Sequence, residues 1–162
     1  MQTFLQSACE AALKTGGFLR SHFGKKLRVE TREAHDIKLE LDKRSQNLIE
    51  GVILRDFPDH AIYGEEGVIE NTSTAYQWII DPIDGTSNFF WGIPHFAVSI
   101  ALRYREQVLV GVIYDPMRDE LWAVWIPRER PFCSILVVRR YMTWLTSGTF
   151  APMFLKTCYS AT

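Results

Sequence analysis

The sequence predicts an α+β fold in which layered helices pack on a mostly antiparallel sheet. Apolar residues recur at helical spacing in two segments before residue 57. After residue 60 the apolar period changes to two, in short runs rich in β-branched and aromatic residues. The last three runs are joined by connections too short for a crossover helix, so we expect them to pair antiparallel. Helices followed by such a sheet favour α+β over a doubly wound arrangement.

Two helices are predicted at the start of the chain. The first has an apolar stripe made of Phe4, Leu5, Ala8, Ala11, Ala12, Phe18 and Leu19. We expect Gly16 and Gly17 to weaken this helix and Gly24 to end it. The second helix is predicted from about Leu41 to Asp56, where the segment DFPD ends it. Its apolar stripe consists of Leu48, Ile49, Val52 and Ile53.

Five strands are predicted after the helices. They are the runs AIY, YQWII, FAVSIALRY, VLVGVIY and ELWAVW, at residues 61–63, 76–80, 96–104, 108–114 and 120–125. Turn residues bound these runs, as in GEEG, DPIDG and DPMRDE. The expected order is therefore helices first, then a mostly antiparallel sheet.

The composition excludes several classes of protein. With 18 Lys plus Arg against 19 Asp plus Glu, the formal net charge is -1, so no long-range field would gather nucleic acid or an anionic membrane. The three cysteines are far apart and suggest neither a disulfide framework nor a zinc site. Charged residues interrupt each apolar stretch, so we expect no signal peptide and no membrane span. The predicted location is a reducing cytoplasm.

The last segment, residues 128–162, differs from the rest of the chain. It contains five basic residues and a single acidic one, Glu129, so its net charge is +4. The net charge of residues 1–127 is therefore -5. One interpretation is an ordinary terminal strand and loop; the other, which we favour, is a shifted reading frame or a truncated gene product. A nucleic-acid site is disfavoured, because the five cations lack interleaved stacking aromatics. We therefore predict a domain at 1–127 and a divergent basic tail at 128–162.

Carboxylates are concentrated where the chain leaves a strand or enters a helix. They are Asp42, the pair Glu65 and Glu66, and the pair Asp81 and Asp84. Each has an ordinary explanation alone: a helix N-terminus, a solvated acidic loop and a simple turn. Together they predict a cation site, because gathered carboxylates repel one another unless a cation lies between them. Magnesium prefers such oxygen ligands.

The segment DPIDGT, residues 81–86, suits a metal and phosphate site. Pro82 forces a sharp turn, so that both aspartates and the carbonyl of Ile83 can face a common point. Gly85 and Thr86 follow without bulk, and their N–H groups can meet a phosphate oxygen if a helix begins there. Thr86 is equally well placed to cap such a helix.

Three segments resemble the inositol monophosphatase family of magnesium-dependent, lithium-sensitive sugar phosphatases. They are DIKLELD, YGEEG and WIIDPIDGTSNFFWGIPHFAVSIAL. The resemblance covers about residues 1–125 and implies the N-terminal half of a sugar phosphatase α/β/α/β/α sandwich. Relatives acting on fructose bisphosphate or phosphoadenosine share the Asp-Pro-x-Asp-Gly core.

The resemblance also implies a metal-ligand set. Glu65, Asp81 and the Ile83 carbonyl would hold a first magnesium ion, and Asp81 and Asp84 would share a second. Glu66 would be a structural partner. The family pattern places no metal on histidine, so a structural or surface role is expected for His22, His35, His60 and His95.

The catalytic residues implied by the resemblance are Asp42, Thr86 and Glu65. Asp42 and Thr86 would orient the attacking water, and the amides of Gly85 and Thr86 would receive the phosphate. The implied reaction is hydrolysis of a phosphate monoester, in the first place inositol monophosphate, by metal-activated water. The partner is a small phosphorylated polyol or sugar, with no nucleic acid and no membrane, and the chain is a candidate homodimer.

Two alternatives are kept beside this reading. One is a related phosphatase of the fructose bisphosphate or phosphoadenosine type. The other is a non-catalytic metal-binding remnant, because the Trp-Asp-x-x-Ala-Gly motif of the family has no match in this sequence. Its aspartate completes the second metal site in the family.

Overall fold

The computed structural model describes residues 3–25, 29–32, 37–126 and 134–139, with side chains for 3–25 and 40–126. In chain order the elements are α1 (Phe4–His22), β1 (Val29–Arg32), β2 (Ile37–Leu39), α2 (Glu40–Asp56), β3 (Ala61–Gly64), β4 (Gly67–Ile69), β5 (Tyr76–Asp84), α3 (Thr86–Phe90), β6 (Ala97–Tyr104), β7 (Gln107–Asp115), β8 (Glu120–Trp125) and β9 (Ser134–Arg139). The predicted helices and strands are all present, with shifted ends.

The main sheet has seven strands in the order β4-β3-β5-β6-β7-β8-β9. Strands β3 and β5 pair parallel, and every other neighbouring pair is antiparallel. The remaining two strands, β1 and β2, form a separate antiparallel pair. The predicted α+β class and the antiparallel pairing of the last three predicted strands are confirmed. Strand β9 lies within the predicted basic tail and pairs with β8.

Helix α1 begins with a capping box. The Thr3 hydroxyl accepts from the Gln6 backbone N–H at 3.2 Å, and the Gln6 side chain accepts from the Thr3 N–H at 2.9 Å. The helix ends at His22, and Gly24 takes a left-handed φ of 74°, as predicted for a stop at that glycine. The helix continues through Gly16 and Gly17, so the expected weakening does not end it there.

The core lies between the two long helices and one face of the sheet. Its largest fully buried side chain is Trp78, in the centre of β5, and Ile80, Ile100 and Val110 lie on the same sheet face. None of the helices in the described ranges is long and apolar enough to cross a membrane. Packing in this core therefore holds β5 in place, and the candidate site lies at the C-terminal end of that strand.

Candidate active site

The site is built at the end of β5, where the strand turns into α3. The register opposite β6 shifts between Asp81 and Asp84, so the buried Pro82 and Ile83 form a bulge. Gly85 then adopts a left-handed φ of 96° and caps the short helix α3. This φ strongly favours glycine, because a side chain would be strained there. The helix start on which the expected phosphate contact depends lies at Thr86, and the alternative role of Thr86 as the N-cap is wrong, because Gly85 takes that position.

The turn brings Thr86 against Asp42, although the two are 44 residues apart. Thr86 Oγ1 lies 2.9 Å from the Ile83 carbonyl oxygen and 3.3 Å from Asp42 Oδ1. A hydroxyl has a single hydrogen to donate, so the two acceptors share or compete for it. Asp42 is only 4% exposed, which makes this contact part of the interior and fixes where the hydroxyl points.

Asp81 lies at the centre of the acidic cluster. Its Oδ1 accepts from the Ile83 backbone N–H at 3.1 Å, which ties the carboxylate to the bulge. Its pKa is raised to about 6, mainly by burial and further by the negative charges of Glu65 and Asp84. A hydrogen bond to Glu65 also raises this pKa. The fold therefore brings three of the predicted ligands into electrostatic contact.

The donors around Asp81 have the chemistry of a hard-cation site. Carboxylates and a carbonyl are the ligands that magnesium prefers, and the exposed Glu65 and Asp84 can rotate towards Asp81. The charges of Glu65 and Asp84 add to burial in raising the pKa of Asp81, and a divalent cation between these carboxylates would offset their repulsion. Within the described side chains, no three of His, Cys, Asp or Glu are already placed to hold a metal ion. The predicted ligand roles therefore stay predictions, as do the phosphate-binding roles of Gly85 and Thr86.

The other predicted residues take supporting places. Glu66 lies in the turn between β3 and β4, and its backbone N–H donates to Gln46 Oε1 at 2.8 Å. No pattern in the sequence pointed to Gln46, because a polar residue within a helix is usually solvated. His60 accepts from the indole of Trp78 at 3.0 Å, so its role here is structural.

The other histidines take no part in the cluster in the described part of the chain. His22 packs against the ring of Phe18, and His95 is exposed, with its carbonyl accepting from Asn88 Nδ2 at 2.7 Å. His35 lies outside the described residues.

The model of the Inositol monophosphatase family matches residues 1–130. The chain belongs to this family. A Haemophilus influenzae protein called Nus factor SuhB is 42% identical over 125 residues, which are 75% of this chain and 47% of that protein. An Aquifex aeolicus protein called fructose-1,6-bisphosphatase/inositol-1-monophosphatase is 41% identical over 124 residues, again 75% and 47%. The chain spans about half the length of these curated relatives.

Solved structures agree with this assignment. The extragenic suppressor protein suhB of Bartonella henselae has a TM-score of 0.75 at 31% identity, covering 83% of this chain and 51% of that one. The IMPase of Thermotoga maritima has a TM-score of 0.69 at 33% identity, covering 79% of this chain and 48% of that one. The described fold is therefore that of half of an inositol monophosphatase-like protein.

Proposed function

We propose that the chain carries the water-orienting and metal-binding half of a magnesium-dependent phosphate monoester hydrolase. The observation that supports this most directly is the position of Thr86 Oγ1, between Asp42 and the Ile83 carbonyl. The coupled Asp81, Glu65 and Asp84 carboxylates lie at the same turn. A hydroxyl held by a buried acceptor can orient a water molecule, and a cation bound by the neighbouring carboxylates can activate it.

The hydroxyl of Thr86 orients a water molecule in this proposal. When its hydrogen is donated to Asp42 or to the Ile83 carbonyl, its lone pairs face outward and accept a hydrogen bond from water. The oxygen of that water then presents a lone pair to phosphorus. Asp42 keeps the hydroxyl in this orientation, because its carboxylate is buried and accepts only.

The remaining residues would bind the phosphate group and the magnesium ions. The amides of Gly85 and Thr86, at the start of α3, would donate to a phosphate oxygen, since the first N–H groups of a helix have no acceptor within it. Glu65, Asp81 and the Ile83 carbonyl would hold one magnesium ion, and Asp81 and Asp84 a second. Magnesium there supplies a lower pKa for the attacking water and positive charge for the phosphate.

The proposed substrate is a small phosphorylated polyol, first of all inositol monophosphate. Two names support this: the Thermotoga maritima relative is called an IMPase, and the Aquifex aeolicus relative carries both phosphatase names. Fructose bisphosphate is therefore the second substrate class to test. Lithium sensitivity, a cytoplasmic location and a homodimer belong to the same proposal.

The test measures phosphate release from inositol 1-phosphate and fructose 1,6-bisphosphate by the purified chain, with magnesium and with chelator. We expect magnesium-dependent release that falls about a hundredfold in Thr86→Val, the low end of the range for removing a group that assists proton transfer. Thr72→Val makes the same chemical change at an exposed position in the described structure, and we expect no change in its rate.

Two outcomes would contradict the proposal. Absence of magnesium-dependent release from both substrates, with magnesium still bound, would favour the non-catalytic remnant. Equal rates in Thr86→Val and Thr72→Val would exclude the role of the Thr86 hydroxyl.

A further inference from the structure

We propose that Gln46 is a positioning residue whose buried side-chain amide holds the turn between β3 and β4, and with it Glu65 beside Asp81. The contact of Gln46 with the turn follows from the geometry of its hydrogen bonds alone. Its consequence for magnesium rests on the proposed function above, so the two need separate measurements.

The side-chain amide of Gln46 makes three hydrogen bonds. Its Oε1 accepts from the Glu66 N–H at 2.8 Å, and its Nε2 donates to the Gly67 carbonyl at 3.1 Å and to Glu50 Oε1 at 2.8 Å. Gln46 itself is only 4% exposed, so its amide depends on these partners rather than on water. The partners also fix the orientation of the amide, because a flipped amide would place donor against donor and acceptor against acceptor.

Gly64 makes room for this contact. A Cβ atom at Gly64 would lie 2.2 to 2.5 Å from the Oε1, Cδ and Nε2 atoms of Gln46, a separation that real Cβ atoms essentially never show. The amide of Gln46 therefore lies directly against the backbone of the turn. A side chain at position 64 would therefore displace the amide of Gln46 from its present position.

The backbone of the turn lacks the positive φ angles that stabilise the favoured two-residue hairpin loops. Gly64 pairs with Gly67, so Glu65 and Glu66 form a two-residue hairpin loop. The favoured two-residue loops require positive φ, and in the described residues the only non-glycine positions with positive φ are Arg105 and Asp119. A loop with negative φ at both positions splays its strands. Gln46 ties the Glu66 N–H and the Gly67 carbonyl to α2 and lies against Gly64, and so opposes that splaying.

The position of Glu65 follows from this bridge. Gly64 pairs with Ile80 at the last register position of the parallel β3–β5 pair, so Glu65 and Asp81 are the next residues on neighbouring strands. The hydrogen-bonded pairing of β3 with β5 ends at that position, so it does not hold Glu65 in place. Gln46 replaces the missing ladder contact from the side of α2.

Helix α2 thereby places two parts of the site at once. Asp42 and Gln46 are four residues apart, so they lie on the same helix face, and both are buried. Asp42 contacts Thr86 and Gln46 contacts the turn that carries Glu65. A single rigid helix therefore sets the distance between the proposed water-orienting group and the proposed metal ligand.

The first measurement is amide hydrogen exchange of the metal-free chain by NMR. Gln46→Met keeps the size of the side chain but removes its hydrogen bonds, and we expect exchange at the Glu66 amide to rise about tenfold, in line with the loss of one hydrogen bond. Gln46→Glu keeps an acceptor for that amide but places an oxygen against the Gly67 carbonyl and the Glu50 carboxylate, so we expect exchange to rise in this variant as well. Gln107→Met, at an exposed glutamine, is the control, and the Trp78 amide reports global stability.

The second measurement is magnesium binding by titration calorimetry. We expect affinity to fall about tenfold in Gln46→Met and to stay unchanged in Gln107→Met. Unchanged Glu66 exchange in Gln46→Met would overturn the hold on the turn, and unchanged affinity would overturn its consequence for the site. If the wild-type chain bound no magnesium, the proposed function would fail, and the exchange data would still decide whether Gln46 holds the turn.

Discussion

At the scale of single residues, His60 shows how a side chain outside the site becomes a pH-dependent part of the core. The indole N–H of Trp78 donates to His60 Nδ1 at 3.0 Å, and indole nitrogen only donates, so Nδ1 carries no proton. The imidazole ring stacks on Tyr76 with centroids 4.7 Å apart. Burial lowers the pKa of His60, against a smaller opposing effect of the Asp59 charge. The fold therefore favours the neutral ring.

We predict that this residue makes the chain less stable as the pH falls. The unfolded state binds the proton first, below about pH 6.5, so the contribution of His60 is complete above that pH and is lost as the pH falls towards the lower pKa of the folded state. Urea denaturation between pH 7.5 and 5 measures this, with a slope below the one-proton limit of about 1.4 kcal/mol per pH unit.

The matched variant for this prediction is His60→Gln. Asp81 contributes a slope of the opposite sign, because its pKa in the folded state is raised to about 6. Both chains contain Asp81, so the difference between their pH profiles isolates His60. Identical profiles in the two chains would contradict the prediction.

At the scale of elements, two adjacent glycines in α1 have opposite roles. A Cβ at Gly16 would lie 2.3 Å from Cε1 of Tyr114 in β7, whereas one at Gly17 would meet no atom within 4 Å. The Tyr114 hydroxyl donates to Asp119 Oδ1 at 2.6 Å, which holds the ring in place. Gly16 is therefore the point at which the helix approaches the sheet.

We predict that Gly16→Ala lowers the free energy of unfolding by about 1 to 3 kcal/mol through overpacking. Gly17→Ala should raise it by about 0.5 to 1 kcal/mol, because alanine is the better helix former and the site is open. Urea denaturation of the two variants measures both values. Stabilisation of the chain by both substitutions would show that α1 does not depend on the close approach at Gly16.

The same glycine shows what the sequence can and cannot predict about elements. The apolar periodicity predicted both long helices and five strands, since those signals come from burial on one face. Propensity marked Gly16 only as a weak point, and the Tyr114 ring that explains the glycine lies 98 residues further along the chain. Strands β1, β2, β4 and β9 and the short helix α3 were not predicted, because they depend on pairing and packing more than on pattern.

At the site, the local part was predictable and the non-local part was not. The bend at residues 81–86 followed from its own proline and glycine. The contact of Thr86 with Asp42 was inferred from the resemblance alone, and its geometry needs the fold. Gln46 carries no local signal for its contact with the turn, because the two partners in that turn lie 20 and 21 residues further along the chain.

At the scale of the whole molecule, the two faces of the sheet are unequal. Both long helices lie on one face, and no helix of the described chain packs against the other. That second face exposes Tyr63, Ile79 and Ile113 by 43% to 48%, and register places all three side chains on it. We call these three residues the open face. Asp81 lies at one end of it, and Arg103 at the other.

We predict that two copies of the chain associate through the open face. When two such faces meet with their strands antiparallel, Arg103 of each copy comes towards the acidic end of the other, so charge as well as apolar area favours the pair. Sedimentation velocity over a hundredfold range of concentration should show a dimer at the upper end, and Ile79→Lys should shift the equilibrium to monomer. Ile93→Lys places the same charge on an exposed isoleucine of the loop after α3 and should leave the dimer intact. A monomer at all concentrations, or equal loss of the dimer in both variants, would show that this face does not bind a second copy.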